Sequence, residues 1–355
     1  MPELFMHLAV KDQTAIIRDY CSTRPDKDLP IVEKDVWVCW VLKQLFEMPN
    51  KLEMAFKGGT SLSKVFNIID RFSEDIDITL DYRQFDAMKQ FNLAEGQTAP
   101  EHLGSGQRRR IDAALKTEVK SYANDVVAPF LKAQVAALPR AELFEIEVSE
   151  DGETIKFTFP SVLNKDSKNY MLDYVLIEFG GRNIINPNEV HHIQPFLASE
   201  DAYRDVLEFP SSMVTVLAPQ RTFWEKATLI HVECHRGVRE NAKRLSRHWF
   251  DLMALSNHVI GQGAISDVTL LNDVVALKKI FFNASYANYE KCLAGDFTLV
   301  PDQQGLDQLK LDFSYMMEAN FINDRNVSFE QIMQSAHNTQ ALINLAVSAY
   351  LERGN

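Results

Sequence analysis

With 355 residues, 46% apolar and 24% charged, the chain has the composition of a folded soluble protein and not the low hydrophobicity of a disordered one. Single cores rarely grow past roughly 250–300 residues, so two lobes are expected. A net charge of −12 excludes a protein that coats nucleic acid through a general basic surface; a polynucleotide substrate must meet a local cationic patch. The N-terminal stretch mixes acid and base, and no run of roughly 18 apolar residues lacks a charge, so neither a signal peptide nor a membrane span is expected. Cys21, Cys39, Cys234 and Cys292 are scattered without CxxC spacing, which fits a reducing cytoplasm.

Residues 31–47 repeat apolar side chains at helical spacing, with Val36 and Trp40 on one side and Trp37, Val41 and Leu45 on another, and predict a buried helix. LEMAFK at 52–57 reads as a strand, Gly58 and Gly59 as a turn, and residues 60–70 as a helix capped by Thr60 or Ser61. DIDITLD at 75–81 alternates, placing Ile76, Ile78 and Leu80 on one face and Asp75, Asp77, Thr79 and Asp81 on the other, a half-buried strand with an acidic face. Residues 82–106 are polar and predict a mobile loop, and 108–138 resume helical periodicity behind Arg108, Arg109 and Arg110. Strands return at LFEIEVS, TIKFTFPS and YVLIEFGG between 143 and 181, the first two joined by a hairpin turn at 150–153. From Pro219 the pattern is almost wholly helical, including a helix through Leu245, Trp249 and Leu252. This divides the chain into a mixed α/β lobe to residue 218 and a helical lobe over 219–355.

Two short patterns carry chemistry. On a strand, Asp75 and Asp77 send both carboxylates to one side, roughly 6.5–7 Å apart along the chain, a spacing suited to metal ions that stand ~3.5–4 Å apart in two-metal sites. A solvated strand face is the plain alternative, but Asp75, Asp77 and Asp81 repel one another on a half-buried strand, and that repulsion calls for a cation. In KGGTSLSK at 57–64, Gly58 and Gly59 let backbone N–H groups approach a phosphate, a helix starting near Thr60 turns its positive end toward the anion, and Ser61 and Lys64 add donors. The P-loop pattern GxxxxGK[ST] is absent from this turn.

Together, GGTSL, Arg71 and SEDIDI resemble the DNA polymerase beta superfamily of nucleotidyltransferases, and FKGGTSLSKVFNIIDRFSEDIDITL is similar to the AbiEii/AbiGii toxin family within it. VEKDVWVCWVLKQL resembles that family's N-terminal helix, here with Glu33, Lys34 and Asp35; VLIEFGGR its third acidic strand, with Glu178; TFWEKATLIH its lysine helix, with Lys226; and RHWFDLMAL the helix carrying Asp251. The resemblance runs from about residue 30 to 257, and the last hundred residues resemble no known pattern. It implies an α+β fold, a polymerase-beta-like lobe with a mixed sheet followed by a C-terminal helical lobe that brings Lys226 and Asp251 to the cleft. It further implies Mg²⁺ or Mn²⁺ on Asp75, Asp77 and Glu178, and an NTP held by Lys57, Gly58, Gly59, Thr60, Ser61, Lys64, Arg71 and Ser73. The activity implied is that of a toxin with a separately encoded antitoxin, acting on an RNA acceptor such as the 3′ end of tRNA.

The residues themselves leave alternatives. Glu178, in an apolar strand run, is a third metal ligand or the partner of Arg182. Lys226 meets a triphosphate or snorkels outward, Asp251 fixes Lys226 or Arg247, and Arg71 holds a phosphate or braces Asp70 or Glu74. His231 and His235 stand at zinc-binding spacing on a helix, without the glutamate a zinc protease needs at position 232 and without a third ligand in sight; His191 and His192 are expected in a surface loop. No GxSxG elbow and no cysteine in a basic setting point to nucleophilic catalysis. Two carboxylates with Mg²⁺ also serve phosphodiester hydrolysis, and a small molecule or a protein could replace RNA as acceptor. A degraded, purely binding module is disfavoured because the glycine turn, both aspartates, Glu178 and Lys226 are all chemically usable. For an RNA acceptor the cationic candidates are Arg108, Arg109 and Arg110, and Arg239, Lys243 and Arg244 with Arg236 and Arg247 beside them.

Overall fold

The computed structural model of the protein describes residues 2–24, 27–71, 73–100, 103–163, 174–240, 243–324 and 326–354. Their strands are β1 (Glu3–Leu4), β2 (Met54–Lys57), β3 (Ile76–Asp81), β4 (Glu145–Val148), β5 (Thr154–Thr158), β6 (Tyr174–Asn183), β7 (Asn188–Ile193), β8 (Leu207–Glu208) and β9 (Ser212–Leu217). The helices are α1 (Val10–Ser22), α2 (Leu29–Glu47), α3 (Gly58–Lys64), α4 (Ser105–Ser121), α5 (Ala128–Val135), α6 (Asp201–Arg204), α7 (Pro219–Arg236), α8 (Arg247–Asn257), α9 (Val259–Ser266), α10 (Val268–Phe281), α11 (Tyr289–Leu293), α12 (Gln303–Glu318) and α13 (Phe329–Gly354). Among the described residues no helix is long and apolar enough to cross a membrane. The chain divides into two compact units, Met1–Thr60 with Glu74–Val216, and Ser61–Ser73 with Leu217–Asn355.

The first unit is built on a seven-stranded mixed sheet in the order β4-β5-β6-β3-β2-β9-β7. β3 runs antiparallel to β2 and parallel to β6, and β2 runs parallel to β9. One face is apolar, with Ile155, Phe157, Val175, Ile177 and Phe179 all buried. Trp37 and Trp40 of α2 meet Phe157 at ring-centroid distances of 6.0 and 5.3 Å. A π-helical turn, Tyr122–Val127, sets Tyr122 edge-on to Phe179 at 6.1 Å. The opposite face of the central strands carries Lys57, Asp75, Asp77, Glu178 and Thr154, all partly exposed. Alternation along strands fixes this sorting, because successive side chains point to opposite faces.

The second unit packs α7 to α13 around a core that includes Phe223, Trp224, Trp249, Phe250, Leu271, Phe297 and Ile343. The Trp249 indole donates to the carbonyl of Leu299 at 2.8 Å, so this core aromatic is placed by a hydrogen bond as well as by packing.

Several expected elements differ in extent. α3 stops at Lys64, not at residue 70: the chain closes with Ile68 N–H on the Leu62 carbonyl, and Asn67 adopts a left-handed φ of 50° that a helix does not tolerate. β3 is buried on both faces beyond Asp77, since Thr79 is fully buried and Asp81 nearly so, its carboxylate held by Arg83 at 2.5 Å. The expected loop over 82–106 contains 3₁₀ turns at Tyr82–Gln84 and Asp86–Phe91 that bury Met88, while 101 and 102 lie outside the described residues. His191 and His192 lie on β7, not in a loop, although His192 is exposed as a surface residue should be. The helix expected through Leu245 begins only at Arg247, because Gly237 turns the chain at φ 85° and the Asp312 carboxylate takes Arg244 N–H at 2.6 Å and Ser246 N–H at 2.8 Å.

Candidate active site

In the sheet unit the site begins at the glycine turn. Gly58 leaves β2 with φ +79°, a conformation that costs an L residue energy. A Cβ built on it would lie 1.9 Å from Asp77 Oδ2 and 2.7 Å from Asp77 Cγ. Glycine is therefore demanded twice, by the backbone and by the aspartate carboxylate lying against it. The register then extends the row: Asp77 pairs with Lys57 on β2 and with Glu178 on β6, and Glu178 pairs with Thr154 on β5. Neighbouring strands stand roughly 4.8 Å apart, so the side chains of Asp77 and Glu178 rise side by side on one face, with Lys57 on the other side of Asp77. Asp75, two residues earlier and partly exposed, belongs to the same face. Arg182 is engaged elsewhere, with Asp112 at 2.6 Å and Glu153 at 2.9 Å.

Among the described residues no three His, Cys, Asp or Glu side chains are gathered into a cluster that could hold a metal alone. The donor set nevertheless suits a hard divalent cation. Magnesium is ordinarily held by one or two carboxylates together with water and substrate phosphates, and Asp77 beside Glu178, cradled by the turn at Gly58, supplies such a pair.

Of the other expected nucleotide contacts, Gly59, Thr60 and Ser61 are buried in α3, while Lys57, Lys64 and Ser73 are partly exposed. In the helical unit, Arg71, Lys226 and Asp251 form one buried constellation. Arg71 donates from Nε to Asp251 Oδ1 at 2.6 Å and from Nη2 to Oδ2 at 2.8 Å, and Lys226 Nζ donates to Oδ2 at 2.7 Å. Asp251 is fully buried; burial alone would raise its pKa, but Arg71 and Lys226 hold the carboxyl well below the usual range. Burial pushes the Lys226 ammonium below its ordinary value against the pull of Asp251. Lys226 therefore does not snorkel outward, and Asp251 fixes Lys226 and Arg71, not Arg247. Arg71 accordingly braces Asp251, and Asp70 is instead held by Asn323, Nδ2 to Oδ1 at 2.7 Å.

Of the histidine pair, His231 is held by the fold. His231 Nδ1 accepts from Thr298 N–H at 3.0 Å, which leaves Nε2 to donate to the Asn288 carbonyl at 3.2 Å, so both ring nitrogens are used. Burial, aided by neighbouring His235, pushes its pKa down to about 4. The cationic candidates sit at the surface. Arg109 and Arg110 are exposed and Arg108 is half-buried on α4, and Arg239, Lys243 and Arg244 are exposed on the loop before α8. Sequence reasoning missed Phe321, over whose ring lie Arg71 at 5.5 Å and Arg244 at 5.1 Å. A lone phenylalanine some 250 residues from Arg71 carries no local signal of that pairing.

A family model described as the nucleotidyl transferase AbiEii toxin of type IV toxin–antitoxin systems matches residues 40–335. The chain belongs to this family. The AbiEii match runs well past residue 257, so most of the last hundred residues are part of the family's extent, whereas Glu33, Lys34 and Asp35 precede it. Membership makes the chain a nucleotidyltransferase toxin and implies a separate antitoxin. A search of curated proteins finds no match.

Proposed function

We propose that this AbiEii-family chain transfers a nucleoside monophosphate from an NTP to an RNA acceptor, such as the 3′ end of tRNA, with Mg²⁺ or Mn²⁺ held by Asp75, Asp77 and Glu178. The observation that carries the reading is the in-register pair Asp77 and Glu178 with Gly58 packed against the Asp77 carboxylate. A divalent ion there would neutralise phosphate charge and polarise the α-phosphorus toward attack. The protein's own part is positioning and electrostatics. Gly58 leaves room for Asp77 to keep its place, Lys57 offers a cation beside Asp77 for the triphosphate, and the sheet holds Glu178 level with Asp77. In the helical unit Lys226, its direction set by Asp251, is the candidate for a phosphate contact. The exposed Arg239, Lys243 and Arg244, and Arg109 and Arg110 on α4, are the candidates for acceptor phosphates, where contacts position without reading sequence.

The test is incubation with each α-labelled NTP, total RNA and Mg²⁺, scoring which RNA takes up label and whether pyrophosphate is released. Label in RNA with stoichiometric pyrophosphate supports transfer. Label in protein or a small molecule moves the acceptor, and cleaved phosphodiester without pyrophosphate replaces transfer with hydrolysis.

A further inference from the structure

We infer that Lys34 is a positioning residue for the carboxylate strands, an inference that rests on the reading of Asp75, Asp77 and Glu178 as metal ligands. Lys34 lies on α2 with its side chain only 4% exposed, and its ammonium is paired with the Glu74 carboxylate. The same ammonium stands 5.4 Å from the ring centroid of Tyr174. Glu74 immediately precedes Asp75, and Tyr174 opens β6 four residues before Glu178. Because Asp77 is level with Glu178 on parallel strands, Glu74 and Tyr174 mark the same ends of those strands. One buried ammonium therefore ties the heads of both strands that carry the proposed ligands.

Burying an ammonium is costly unless a partner compensates, so its presence here requires an explanation. The flanking charges of α2 serve other segments: Glu33 accepts from Val162 N–H at 2.6 Å and Ser161 Oγ at 2.7 Å, and Asp35 accepts from Phe196 N–H at 2.7 Å. Among the described contacts of these three, those of Lys34 reach the carboxylate strands. It also lies outside residues 40–335, which the family model matches. Its action is indirect: by holding Glu74 it fixes the backbone from which Asp75 projects. Partners of this outer kind typically set metal affinity by 10–100-fold.

The test measures Mn²⁺ binding without nucleotide, by the electron paramagnetic resonance of free Mn²⁺, alongside thermal melting. The proteins are wild type, Asp77→Asn, Lys34→Met, Lys34→Arg, Glu74→Gln and Lys34→Met/Glu74→Gln. Lys34→Met should weaken Mn²⁺ binding by roughly 10–100-fold, and Lys34→Arg, which keeps the charge, should restore most of it. If Lys34 acts through Glu74, Lys34→Met should cost much less in the Glu74→Gln background. Unchanged affinity in a folded Lys34→Met protein, or an equal loss in both backgrounds, overturns the inference. Should Lys34→Met not fold, Glu74→Gln decides, and wild-type affinity there overturns it equally. Wild type that binds no Mn²⁺, or binds it regardless of Asp77→Asn, instead overturns the metal reading itself and the inference with it.

Discussion

Replacing Gly58 with alanine would put a methyl group where the Asp77 carboxylate stands. The added carbon would lie 1.9 Å from Oδ2, on a backbone already at φ +79°. Non-bonded heavy atoms settle at roughly 3.5 Å, so the carboxylate must retreat by about 1.5 Å. The left-handed conformation costs an L residue about 1–2 kcal/mol, and forced repacking about 1–3 kcal/mol. The expected loss is therefore about 2–5 kcal/mol, with transfer activity falling as Asp77 is displaced. Asp77→Ala removes the oxygens and Cγ and leaves only Cβ, 3.1 Å from the added methyl. In that background Gly58→Ala should retain only the backbone cost of about 1–2 kcal/mol. Urea denaturation of the four proteins in this cycle reads the coupling directly. A Gly58→Ala protein as stable as wild type, or one whose loss is the same with and without the Asp77 carboxylate, would show that the two residues do not constrain each other.

Asp75→Ala and Asp77→Ala should each abolish transfer without lowering Tm, because a partly exposed acidic face loses a like charge; near-normal Mg²⁺-dependent incorporation in either would remove the two-aspartate site. His231, with its pKa pushed down to about 4, resists a proton that the unfolded chain takes up near 6.5. Its contribution is thus complete above about pH 6.5 and is lost as pH falls toward 4, by up to about 3 kcal/mol. His231→Gln should flatten the stability profile across that window, and parallel profiles would refute the assignment. Charge reversal at Arg239, Lys243 and Arg244 should weaken RNA labelling and reduce its salt dependence while leaving NTP binding nearly unchanged; labelling that survives at every salt concentration places the acceptor elsewhere.

Local periodicity made the carriers of the site legible. The alternation at 75–81 reads as a strand, and the apolar run around Glu178 reads as another, with the glycine turn ahead of them. What the sequence does not carry is the pairing of strands about a hundred residues apart, and it is this register that sets Asp77 level with Glu178. Gly58 likewise reads as room for a phosphate, while the nearest group it makes room for is the Asp77 carboxylate. The long-range anchor is invisible for the same reason: Asp312 holds the residues before α8, so helical spacing through Leu245 overestimates the helix. Two-faced burial of β3 also escapes alternation, since Thr79 and Asp81 are polar yet buried.

The carboxylates of the two units differ in their burial. Asp251 has both oxygens committed, Oδ1 to Arg71 and Oδ2 to Arg71 and Lys226, and no solvent exposure. A fully buried carboxylate that accepts three cationic hydrogen bonds is committed to holding its donors, and replacing any of those donors by a metal would strand a buried positive charge. Its chemistry is to hold Lys226 still, which matters because a lysine on a flexible stem loses entropy whenever it meets a phosphate. Asp77 and Glu178 are partly exposed, level on neighbouring strands, and drawn together by backbone pairing that pays no heed to their mutual repulsion. A sheet that sets two like charges side by side is more stable with a cation between them. On the proposed reading the metal goes to the sheet carboxylates, and Asp251 is the residue that aims a lysine.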